Sequence, residues 1–114
     1  MTITKIIDLG VLAGNGAVRN ISGRPRGLSA RADFGLDELD ADTEVEVEIV
    51  IPEYMDSITP SFFQGLLEAS MRRFDMDRVR FDHRYRVVAS EPMQRAFERG
   101  MRAILVHREF PQVA

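Results

Sequence analysis

The chain has 114 residues, no cysteine and a net charge of −3, a length at which one hydrophobic core folds without covalent staples. The lack of cysteine excludes disulfides, thiolate metal sites and thiol nucleophiles, and the acidic balance argues against a general nucleic-acid binder. The 15 basic side chains are all arginine except Lys5, and guanidinium groups suit fixed pairing with carboxylates.

The opening stretch, MTITKIIDLGVLAGNG, is interrupted by Gly10, Gly14 and Gly16. It lacks the unbroken apolar run of a signal peptide or membrane span, so the expectation is a cytoplasmic protein with no membrane partner, organised as one domain over 1–114. Residues 2–8 are rich in β-branched types and predict a first strand. Asn15-Gly16 then marks a tight turn, in a hairpin or an irregular excursion. Gly14-Asn15-Gly16 with Arg19, Arg24 and Arg26 has the makings of a phosphate cradle, but neither the P-loop Lys-Ser/Thr nor Rossmann glycine spacing completes it. A short helix over about 24–33 follows from Pro25, with Ser22 as its cap and Leu28 and Ala32 as its apolar stripe. The acids from Asp37 to Glu48 read as a solvated run.

Residues 43–51, TEVEVEIVI, alternate with period two. Val45, Val47, Ile49 and Ile51 face one way, and Glu44, Glu46, Glu48 and Val50 face the other. A strand covered on both sides would be apolar throughout, so helices are expected on a single face of the sheet. Thr59 then caps a helix with Pro60 in its first position, running to about Phe74 on a buried stripe of Phe63, Leu66, Leu67, Ser70, Met71 and Phe74. Residues 77–88 alternate again. Val79, Phe81, His83, Tyr85 and Val87 fall on one face of the strand this predicts, and Arg78, Arg80, Asp82, Arg84 and Arg86 on the other. Ser90 caps a last helix with Met93, Ala96, Phe97, Met101 and Ile104 inward, and the ending HREFPQVA reads as a short strand or a tail. Two strands joined by a helix are usually parallel and often adjacent. The glutamate and arginine faces would then lie side by side and partly neutralise each other. The fold class expected is α/β in two layers, a four- or five-stranded mixed sheet with helices on one face.

No catalytic residues stand out. His83 and His107 lie far apart without cysteine or a His-Glu-x-x-His pattern, so no metal or other cofactor is expected. No serine sits in a Gly-x-Ser-x-Gly elbow, which leaves no basis for an enzyme. Two surfaces remain as candidates. Arg78, Arg80, Arg84 and Arg86 on an exposed strand face would suit an anion or a nucleic acid. Asp56, Ser57, Thr59 and Ser61 gather where a helix begins, and free N–H groups there favour an added phosphate.

The run from Val45 to Leu67, with Ile58-Thr59-Pro60-Ser61-Phe62 at its centre, resembles a STAS-like domain family of unknown function and, more distantly, bacterial anti-sigma-factor antagonists. That resemblance implies a STAS-like fold and a regulatory module that binds a protein partner, such as a kinase-type anti-sigma regulator. By position Ser61 would be the phosphorylated hydroxyl, with Thr59 beside it. The antagonists' Asp-Ser-Ser/Thr-Gly pattern is not kept, since Thr59 stands in place of the aspartate and Phe62 in place of the glycine. Asp56-Ser57 offers a second register, also without the glycine.

Overall fold

A computed structural model describes residues 2–109, leaving aside the side chains of Asn15 and of positions 107–109. His107 therefore lies outside the described side chains, and residues 110–114 of the predicted ending lie outside the description altogether. The elements, in order, are β1 (Ile3–Asp8), β2 (Asn20–Ile21), α1 (Arg24–Phe34), α2 (Leu36–Ala41), β3 (Val45–Val50), β4 (Ser57–Ile58), α3 (Pro60–Arg73), α4 (Arg78–Arg84), β5 (Tyr85–Val88) and α5 (Glu91–Glu109).

The protein is α/β, and every strand pairing among the described residues is parallel. β3 lies in the middle of a three-stranded sheet, order β1-β3-β5, while β2 and β4 form a separate two-stranded ribbon. The five strands are thus split between two sheets, where the alternation patterns suggest one mixed sheet. The register sets Ile3 against Val45, Ile7 against Ile49 and Val47 against Tyr85. Period-two alternation in β3 has the expected effect: Val45, Val47, Ile49 and Ile51 are buried, while Glu44 and Glu46 are exposed and Glu48 is half-buried.

α3 packs between α1 and α5, which buries more of it than one stripe. Phe62 and Glu68 are inside along with Phe63, Leu66, Leu67, Ser70 and Met71, because a helix flanked on both sides hides more than one face. Phe62, Phe63 and Phe97 contact one another edge to face, with centroids 5.7 and 5.6 Å apart. α1 begins at Arg24, as Pro25 suggests, but its cap is Gly23 at φ +96° instead of Ser22. No hairpin forms at Asn15-Gly16. The chain makes two 3-10 turns there, at Leu9–Val11 and Gly14–Gly16, and β1 pairs with distant β3 instead of a local partner. No described helix is long and apolar enough to cross a membrane.

Candidate functional site

The hydroxyl cluster lies where two strand-to-helix units stand side by side. β2 leads into α1 and β4 leads into α3, and the two short strands pair in parallel, Asn20 with Ser57 and Ile21 with Ile58. Parallel pairing points both chains the same way, so α1 and α3 begin together. Backbone bonds fix the junction: Asp56 N–H donates to the Arg19 carbonyl at 2.8 Å, and Thr59 N–H to the Ile21 carbonyl at 3.1 Å.

Thr59 is the N-cap of α3 by backbone position, yet its hydroxyl does not cap the backbone N–H groups of that helix. It accepts instead from the N–H of Gly23, the cap of α1, at 3.1 Å, and it meets Ser61 Oγ at 3.0 Å. One hydroxyl pair thereby ties the two helix starts together. Ser61 follows Pro60 in the first turn of α3 and is half-buried. Its hydrogen bond to Thr59 is to another hydroxyl, so no carboxylate or imidazole among the described residues activates it. Ser57 lies outside the helix, on β4, where its exposed hydroxyl donates to Asn20 Oδ1 at 2.7 Å. Asp56 is exposed and pairs with Arg19 at 3.2 Å. The structure therefore brings Thr59 and Ser61 into contact and sets Asp56 and Ser57 on the adjoining ribbon.

The arginine strand face does not form. Arg78, Arg80 and Arg84 lie on α4, and only Arg86 lies on a strand. Asp77 starts that helix, accepting from the N–H groups of Val79 and Arg80 at 2.9 and 3.4 Å. Arg78 grips both oxygens of Glu98 at 2.9 and 2.7 Å, bonds Asp82, and sits over the Phe97 ring. The Glu98 bond holds the Arg78 pKa above its ordinary value against the opposing effect of burial, and the same bond lowers that of Glu98. Arg80 pairs with Asp75. Arg84 donates to the carbonyls of Val45, Leu39 and Asp42 and covers Phe74. Arg86 alone meets the glutamate face, at Glu48, 2.9 Å away. Each guanidinium thus has a separate structural partner. His83 and Val79, expected to share a face with Phe81, are exposed on α4.

A buried polar cluster joins Ser70, expected on the buried stripe, to Arg31, Asp40 and Tyr85, a meeting the sequence does not announce. Arg31 from α1 donates to Asp40 Oδ2 at 3.0 Å, to Ser70 Oγ at 2.8 Å and to the Leu66 carbonyl at 3.0 Å. Asp40 also accepts from Ser70 and from the Tyr85 hydroxyl, both at 2.5 Å. Burial and then the Asp40 carboxylate raise the Tyr85 pKa. Burial opposes the charge on Arg31, but its bonds to Asp37 and Asp40 outweigh this and raise its pKa. Ser70 and Asp40 have the chemistry of a nucleophile and a base, but their exposures are 0% and 3%, so no substrate reaches them. The serine with a carboxylate is sealed, and the serine with access has none.

No group of three or more His, Asp or Glu among the described residues is placed to hold a metal ion. No protein-family model, curated protein or solved structure matches this chain.

Proposed function

We propose that this chain is a regulatory module that acts by binding another protein, as a STAS-like domain in the manner of anti-sigma-factor antagonists. The contact surface in this reading is the end of the molecule where α1 and α3 begin, and phosphorylation of Ser61 alters the contact. The observation that carries it is the Thr59–Ser61 hydroxyl pair, bonded across to Gly23, at two adjacent helix starts. Both helices direct the positive ends of their dipoles there, and a phosphate adds about −1.5 to −2 charges with three acceptor oxygens. The modified side chain would be accommodated electrostatically, and the change would be felt by whatever docks on that end. A kinase-type anti-sigma regulator is the partner class this reading names. The alternative, an anion or nucleic-acid surface on an arginine strand face, has no observation in its favour, because Arg78, Arg80, Arg84 and Arg86 are each held elsewhere.

The test is to incubate the protein with ATP and lysate of its source, map modified residues by mass spectrometry, and compare partner capture by wild type, Ser61→Ala and Ser61→Asp. Phosphate on Ser61 and a partner lost or gained with Ser61→Asp are the expected results. An unmodified Ser61 together with identical capture by all three proteins would overturn the phosphoswitch.

A further inference from the structure

We infer that the bare face of the three-stranded sheet is the seat of a single cationic amphipathic helix from a protein partner. The inference uses none of the residues of the Thr59–Ser61 junction and stands or falls apart from it. Sheets built only of parallel strands are almost always covered on both faces, and this one is covered on one. The register places Ile6, Glu48 and Arg86 in one row across the bare face, with Thr4 and Glu46 in the row before and Asp8, Val50 and Val88 in the row after. Ile6 and Val88 are 66% and 43% exposed, so the face carries an apolar strip. Beside it lies a depression of about 320 Å³ lined by Thr4, Glu46, Glu48, His83 and Arg86. Glu46 makes no ion pair with any described residue, and Glu48 is answered by Arg86 alone. Asp82 and Arg84 also line the depression and offset each other, so with Asp8, Glu46 and Glu48 against Arg86 the surplus charge of the face is negative.

Charge, and the helical cover that parallel sheets take, decide the occupant. β1 and β3 pair over six residues and β5 over four, so strands about 4.8 Å apart rising about 3.3 Å per residue offer a patch roughly 14 Å wide and about 13–20 Å long. A second copy stacking the same face would set two acidic surfaces against each other, whereas a cationic segment would neutralise it. An α-helix about 10 Å across and about 13 residues long matches the patch. Its apolar stripe would lie on Ile6, Val50 and Val88, and a lysine or arginine would reach Glu46.

The experiment selects random displayed peptides of about 16 residues on the immobilised full chain and titrates the enriched ones. The expected winners carry apolar residues at helical spacing with Lys or Arg, and they shift the amide resonances of Thr4, Ile6, Glu48 and Val88. They lose roughly tenfold or more in affinity to Ile6→Gln and to Glu46→Lys, both substitutions at exposed positions. Peptides that bind these variants as well as wild type would overturn the inference. So would extended peptides whose shifts run along the free edge of β1, self-association of the chain that perturbs the same amides, or a selection that enriches nothing.

Discussion

Asp40 belongs to an acidic stretch that composition assigns to the surface, yet it is buried and bonded by Arg31, Ser70 and Tyr85. One legible trace existed: Leu36, fully buried, lies four positions earlier on α2, so Asp40 shares its inward side. Its partners could not be read, because they come from α1, α3 and β5 and meet only in three dimensions. Replacing Arg31 with methionine leaves that carboxylate buried without its cation, and the expected loss is about 3–5 kcal/mol in urea denaturation. The Tyr85 pKa is raised above its unfolded value of 10.0, so its contribution to stability is complete below pH 10 and declines as pH rises from there toward the folded value. In a Tyr54→Phe background, phenolate absorbance from Tyr85 should therefore appear together with loss of the fold, whereas Tyr85→Phe should lack this alkaline component. Phenolate that forms while the far-ultraviolet dichroism stays native would refute it.

Among the elements, α1 and α3 approach each other through glycine. A Cβ on Gly27 would stand 2.1 Å from the Phe62 carbonyl oxygen, and one on Gly65 would stand 2.2 Å from that of Arg24. Glycine to alanine inside an ordinary helix stabilises by about 1 kcal/mol, but here two backbones would have to separate. Gly65→Ala should destabilise by about 1–3 kcal/mol, and a gain in the denaturation midpoint would show that the crossing is loose. Periodicity declares β1, β3, α3 and α5, and Pro25 declares α1, although the stripe expected there, Leu28 and Ala32, is exposed and Gly27, Ala30 and Arg31 are buried instead. Residues 78–84 read as a strand because Arg-Val-Arg-Phe-Asp-His-Arg alternates over a stretch too short to separate the two periods. The better signals were Asp77 ahead of the run and the i,i+4 pair Arg78–Asp82, observed at 2.8 Å. The turn before it was also hidden, since Asp75 and Met76 both take left-handed backbone, φ 60° and 57°, without a glycine to announce it. Asp77→Ala should lower stability by about 1 kcal/mol through loss of the α4 cap, measured as a shift in the urea midpoint.

At the scale of the whole molecule, β1 is an edge strand whose Ile3, Thr4, Lys5 and Ile6 are all exposed. A bare edge of that kind is a template for another chain, and a charged residue in its middle is one of the usual defences. Lys5, the only lysine, points to the same side as Val47, where an added strand would have to leave its ammonium beside the apolar layer. Lys5→Val should produce concentration-dependent association visible by light scattering, and a variant that stays at the wild-type mass at all concentrations would remove that role from the lysine. The layering on one face could be read in advance from the glutamates of β3, whereas the division into two sheets could not, since two-residue strands carry no periodicity. The parallel register has a further consequence, for synthesis. Ile3 pairs with Val45, 42 positions later, Val47 with Tyr85, 38 later, and Asn20 with Ser57, 37 later. At ribosomal speeds of about 5–20 residues per second, β1 emerges about 2–8 s before its partner is made. During that interval a β-branched strand has no neighbour of its own and is open to pairing with other chains until the middle of the protein arrives.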